Sequence, residues 1–127
     1  MTIRLIAMQT SSVWKKDHPP VKELDVGDVV LIRQALTNQI PQFGKRKGAL
    51  VGHESAVVTR IGDQVRIVGK DTLPGGTLTH KGVNILYGPP TVFRVTGGTG
   101  KFANASGTMT ARPRMKDNVR VYRLQLP

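Results

Sequence analysis

Short apolar runs alternate with polar residues along most of this chain, and each run ends at a glycine, a proline or a Gly-Asp pair. Alternation with a period of two is strand geometry, because successive side chains point to opposite faces. The spacing predicts strands over 2–9, 28–36, 48–61, 64–73, 77–86, 91–96, 105–112 and 119–126. Gly62-Asp63 turns the third of these back on itself as a hairpin, and Pro74-Gly75-Gly76 makes the next corner. Residues 10–27 read as a long polar connection, since Pro19-Pro20 cannot belong to a central strand. No stretch shows the 3.6-residue period and the caps of a helix. Consecutive short strands with corner glycines predict an all-β domain over residues 1–127, an antiparallel up-and-down closed barrel of about eight strands. Closure also removes the edges that an open sheet would expose.

The richest stretch runs from Val95 to Thr110. It reads as a strand, a tight corner made by Gly97, Gly98 and Gly100, and a second strand, because glycine alone takes positive φ freely. Phe102 would plug the barrel end, with Ala103, Ala105 and Gly107 letting strands approach closely. A phosphate-binding loop would need a helix to follow it, and a period-two run follows instead.

This stretch closely resembles the glycine-rich hairpin of the dirigent and allene oxide cyclase barrels, relatives of the calycins. Gly27-Asp28-Val29-Val30 resembles the opening of their second strand, and Lys45-Arg46-Lys47-Gly48-Ala49-Leu50-Val51-Gly52 the basic approach to their third. Gly76-Thr77-Leu78-Thr79-His80-Lys81-Gly82 is similar to their fifth. The resemblance covers roughly residues 27–112 and implies a calycin-like barrel that holds one apolar molecule and steers a cyclisation. Such barrels commonly associate, so a homo-oligomer, dimer or trimer, is expected. The chain departs from the allene oxide cyclases in its first strand, where Leu5-Ile6-Ala7-Met8-Gln9 carries no inward carboxylate. Their third strand has no acid where Glu54 stands. The resemblance therefore implies a bacterial natural-product cyclase rather than an allene oxide cyclase.

Strand parity places the candidate site. Aligned on the glycines, the second strand turns Val30, Ile32 and Gln34 inward and leaves Val29 and Leu31 outside, a pair that an oligomer interface would explain. The third strand turns in Glu54, Ala56 and Val58, and the fifth Leu78, His80, Gly82 and Asn84. In 64–73 the phase with Val65, Ile67, Gly69 and Asp71 inside buries fewer cations than the other; the register of 117–126 stays open. Only Glu54 and Asp71 among the acids fall within strand runs. A carboxylate in an apolar barrel has its pKa raised by desolvation and suits general acid or base work. A register slip would instead put Glu54 on the surface beside Arg60 or Lys47. His80 is the second catalytic candidate, able to relay a proton to a facing carboxylate or to serve only as a packed core residue. Gln34 and Asn84 could hydrogen-bond a carbonyl or enolate. Val30, Ile32, Ala56, Val58 and Leu78 would line the ligand, and Trp14, in the 10–27 connection, would close over the mouth as a lid or anchor that loop.

Composition narrows the classes further. The 127 residues carry a net charge of +11, no cysteine and few, scattered aromatics. Disulfides and thiolate metal sites are excluded, and His18, His53 and His80 lack a zinc spacing, so no metal or other cofactor is expected. No apolar run approaches the roughly 20 residues of a membrane helix, and Leu5–Met8 is too short for a signal-peptide core. A cytoplasmic protein without membrane contact is expected. The cationic surface would suit polyanions, but without aromatic platforms no nucleic-acid partner is expected, and the charge reads first as a solvating face. The expected function is a cofactor-independent cyclase or isomerase acting on an apolar polyketide- or polyene-like substrate. The alternatives are a non-catalytic carrier, or a basic-surface binder of nucleic acid or an acidic partner.

Overall fold

The computed structural model describes residues 1–16, 27–85 and 90–127. They form a closed barrel of strands β1 (Thr2–Lys16), β2 (Val29–Asn38), β3 (Leu50–Ile61), β4 (Gln64–Leu73), β5 (Gly76–Ile85), β6 (Thr91–Gly100), β7 (Ser106–Pro113) and β8 (Asn118–Gln125). Each strand pairs antiparallel with the next, and β8 returns to β1 through Thr2↔Arg123 to Ala7↔Asn118. The all-β closed barrel read from the hydrophobic alternation is thus the architecture found.

Two stretches differ from the sequence expectation. β1 does not end at Gln9 but continues to Lys16, passing a bulge between Gln9 and Ser11 and pairing Trp14 with Val30. Trp14 is therefore a strand residue rather than part of a loop. The remainder of the expected lid, residues 17–26, lies outside the described residues. The second difference is in β6, where Gly97, Gly98 and Gly100 are not the corner. They extend the strand against β5, opposite Thr79, Leu78 and Gly76, and the chain turns at Lys101–Asn104. Glycine is needed there for closeness: a Cβ on Gly98 would lie 2.5 Å from the carbonyl oxygens of both Phe102 and Thr77.

The interior has two apolar parts. Ile3, Leu5, Leu36, Leu78, Phe102, Met109 and Leu124 belong to the larger cluster, which seals one end, with Phe102 fully buried in the turn after β6 as its plug. Val30, Val58 and Val65 form a smaller cluster toward the other end, with Trp14, Ile32 and Ile67 packed against it. Along β2 the inward order is Val30, Ile32, Gln34, Leu36, and along β3 it is Val58, Ala56, Glu54, Val51. The polar residues therefore form a belt between the two apolar halves.

Candidate active site

Four consecutive strands, β2 to β5, and β8 facing them contribute to the belt. Glu54 on β3 stands in register with Gln34 on β2 and Asp71 on β4. His80 on β5 lies opposite Gly69, and Asn118, Arg120 and Tyr122 alternate inward along β8. Glu54, Asp71 and His80 are each exposed by 1% or less, and Arg120 by 5%. Charges so deeply placed need partners, and each has them. The Arg120 guanidinium donates from Nη1 to Glu54 Oε2 and from Nη2 to Oε1 at 3.1 Å. Gln34 Nε2 donates to Glu54 Oε1 at 2.9 Å, and Asn118 Nδ2 to Gln34 Oε1 at 3.0 Å. Arg120 Nε donates to Asn118 Oδ1, which closes the ring of contacts. Tyr122 OH donates to Asp71 Oδ2 at 2.7 Å.

His80 bridges the two carboxylates. Its Nε2 lies 3.5 Å from Glu54 Oε2 and its Nδ1 3.1 Å from Asp71 Oδ2. The second contact is close but off line: neither His80 Nδ1 nor Asp71 Oδ1 has an aligned hydrogen bond among the described residues. Small residues fix the ring. A Cβ on Gly69 would fall 2.4 Å from His80 Nε2, and one on Gly82 would fall 2.7 Å from the Phe93 ring. Phe93 in turn meets His80 edge to face, with centroids 5.3 Å apart.

The two carboxyls are pushed apart in pKa. Burial raises Glu54 above its ordinary value; the Arg120 charge opposes this, and the adjoining Asp71 adds to the rise. Burial alone would raise Asp71 too, but the close approach of His80 and Glu54 and the charges of His80 and Arg120 outweigh it and bring Asp71 down to about 2. Tyr122 is driven well above its usual value by burial and by the Asp71 charge. Asp71 is thus the standing anion of the pair, and Glu54 the member that gains a proton more readily. The arrangement can move one proton among Glu54, His80 and a bound molecule while Arg120 and Asp71 hold the net charge in place.

This belt floors a cavity of about 220 Å³. Ile32, Ala56, Val58, Ile67 and Phe93 make apolar walls, and Asn84, Thr91 and Asp117 stand among its lining residues. Of the residues expected to line a ligand, Ile32, Gln34, Ala56, Val58 and Asn84 do so, and Glu54 and His80 form the floor. Leu78 does not: it is fully buried in the sealed half, where it packs beneath the belt. Val30 and Trp14 do not line the cavity either but pack in the apolar cluster of the open half. Sequence parity missed Arg120, Tyr122 and Asn118. Both faces of β8 carry apolar residues, Val119 and Val121 on one and Tyr122 and Leu124 on the other, so alternation could not choose between them. The usable signal was indirect, since two inward carboxylates demand an inward cation.

Glu54, Asp71 and His80 offer donor atoms within 4.8 Å of one another, close enough to be tested as a cation site. Arg120 occupies both oxygens of Glu54, and Tyr122 occupies Asp71 Oδ2. A metal ion would have to displace a guanidinium, so the donor set fits protons better than a cation.

No protein-family model and no curated protein sequence matches the chain. Solved structures do. A pyocyanin demethylase superposes with a TM-score of 0.77 at 21% identity, covering 98% of this chain and 100% of its own. The pterocarpan synthase dirigent protein GePTS1 gives 0.77 at 20% identity, over 98% of this chain and 82% of its own. The Diels-Alderase AbmU from Streptomyces koyangensis gives 0.72 at 14% identity, over 99% of this chain but 64% of its own. With so little identity the likeness speaks for architecture, and the chain has a dirigent-like barrel fold, shared with a dirigent protein, a pyocyanin demethylase and a Diels-Alderase.

Proposed function

We propose that this barrel is an enzyme that admits one compact, mainly apolar molecule through its open end and steers ring closure or isomerisation over the Glu54–His80–Arg120 floor. The observation that carries this reading is a buried cluster of two carboxylates, an imidazole and a guanidinium under apolar walls. A carrier of an apolar ligand has no need of it, because replacing a buried ion cluster with apolar side chains is often neutral or stabilising. Ring closure uses both halves of such a site. The walls hold a flexible chain in a reactive fold, a contribution of up to roughly 7–11 kcal/mol in favourable cases. The floor protonates or hydrogen-bonds a carbonyl as charge develops on it. A cavity of 220 Å³ is below the roughly 300–1,000 Å³ of pockets for drug-sized ligands. A compact substrate fits whole, whereas of a longer polyene or polyketide the reacting segment alone would enter. The fold shared with a Diels-Alderase and a pterocarpan synthase supports this reading. No cofactor is required by the chemistry proposed.

The test is native mass spectrometry of the protein from its host, followed by return of the captured molecule to fresh protein. An enzyme of this kind converts it to an isomer of unchanged mass and altered retention time. A molecule recovered unaltered would make the barrel a carrier, and a product of different mass would rule out ring closure by isomerisation.

We further propose that the barrel self-associates. Val13, Leu31, Val57 and Val68 stand side by side across β1, β2, β3 and β4, in direct register on the outer wall. Val13, Val57 and Val68 are between 39% and 52% exposed. Such a row is longer than scattered surface apolar residues would give.

A further inference from the structure

The outer wall carries a second feature, independent of the barrel interior. Of the acidic residues outside 17–26, Glu54 and Asp71 point inward, Asp28 is buried, Asp63 lies in a turn and Asp117 is paired with Arg114. The outward positions of the described strands therefore hold cations and no carboxylate. At one place three arginines converge. Arg4 on β1, Arg112 on β7 and Arg123 on β8 border one depression of about 330 Å³, with Val121 between them and Thr110 beside it. Val121 is in register with Arg4 on one side and Thr110 on the other. None of the three guanidiniums forms an ion pair or hydrogen bond with a described residue. Like charges gathered on neighbouring strands oppose one another, and a solvating surface would spread them.

The depression is also braced. Gln39 N donates to Arg4 O at 3.2 Å, and the Gln42 side chain bonds both the amide and the carbonyl of Arg4. The loop between β2 and β3 is thus tied to the first arginine. Gln39 lines the depression, and its side-chain oxygen is enclosed without a hydrogen-bond partner among the described residues. A ligand completing this place needs an oxyanion for the guanidiniums, and a hydroxyl that Gln39 would meet by turning its enclosed oxygen outward. Planar guanidinium groups match phosphate oxygens in pairs.

We propose that this depression binds a phosphate dianion with a hydroxyl donor beside it, either free hydrogen phosphate, whose own P–OH donates, or a sugar phosphate, whose sugar hydroxyl does. A phosphodiester backbone and sulfate are poorer fits, since neither brings that donor beside its anionic oxygens. The experiment is isothermal titration of the full chain with sodium phosphate at neutral pH and constant ionic strength. Sodium sulfate, ribose 5-phosphate and a short DNA duplex are titrated in parallel. Phosphate should bind at least about tenfold more tightly than sulfate. Arg112→Ala and Arg123→Ala, both at exposed positions, should each weaken it by about tenfold, whereas Lys70→Ala, elsewhere on the wall, should leave it unchanged. Tighter binding of ribose 5-phosphate than of phosphate would identify an ester as the source; equal or weaker binding would identify the free ion. Equal affinity for sulfate would overturn the proposal, as would binding that survives both arginine substitutions together. Duplex DNA binding more tightly than either phosphate, through the same arginines, would overturn it in favour of a nucleic-acid surface.

Discussion

At the scale of single residues, Glu54 and Asp71 respond to acid in opposite senses. Asp71, depressed to about 2 in the folded barrel, contributes stability that is complete above its ordinary value of 3.8 and is lost as pH falls through about 2. Glu54 is raised above 4.5, so the folded state binds its proton more tightly than the unfolded chain does. Its ionisation therefore weakens the fold above the raised value, and the loss is recovered as pH falls toward 4.5. Urea midpoints measured between about pH 7 and pH 4.5 should rise on acidification relative to Glu54→Gln, which cannot titrate; parallel curves would refute the raised carboxyl. The same substitution removes the charge that the fold resists and keeps the size of the side chain, so at about pH 7 it should cost little stability beyond the altered hydrogen bonds to Arg120 and Gln34, about 1 kcal/mol. If the proposed chemistry holds, turnover should drop by roughly 10²–10⁴. Gly69→Ala probes the neighbouring imidazole without touching an ionisable group. Its new methyl would meet His80 Nε2 at 2.4 Å, so the ring must move. Stability should fall by about 1–3 kcal/mol, and turnover should fall with little change in ligand affinity, as comparison of kcat with KM would show.

At the scale of elements, glycines decide how closely the strands pack, and two substitutions separate that role from plugging the end. Gly98→Ala sets a methyl against two backbone carbonyls, which cannot rotate away, and so should strain the β5–β6 ladder. Phe102→Ala leaves that ladder intact but opens a hole in the sealed half, at a cost of about 3–5 kcal/mol. Thermal denaturation should show both losses, while amide exchange should rise along β5 and β6 only in the first. The barrel itself was legible because most strands bury one face, and alternation reports burial. The inward placement of Glu54, His80 and Gln34 followed from the same parity. Legibility stopped where burial stops. Thr10-Ser11-Ser12 lies on the exposed half of β1, where backbone pairing holds the strand and no apolar face marks it. The glycines of β6 misled for a different reason. Their lack of side chains serves close approach as well as turning, and sequence alone does not say which. Arg120 and Tyr122 were hidden because β8 is apolar on both sides.

At the scale of the whole molecule, charge and apolar surface make opposing demands on association. The row from Val13 to Val68 favours contact between copies, while Arg33, Arg66 and Lys70 on the same wall repel at a net charge of +11. Added salt screens the repulsion within a Debye length of about 8–10 Å. Small-angle scattering should therefore show a larger particle as ionic strength rises, and Val57→Asp should keep it monomeric; a monomer at every salt concentration would refute the interface. The sealed end has a consequence of its own. The cavity opens onto the Glu54–His80 floor, and the half below it is filled by Leu78, Phe102 and Met109. If the proposed function holds, a molecule seated there slows exchange of the floor with solvent, so a proton drawn from one of its carbons can return before it mixes with the exchangeable protons of Arg120 and Tyr122. Isomerisation in heavy water should then give a product that is in part unlabelled, with the same hydrogen carried from its old position to its new one, and full labelling would show free exchange with the floor.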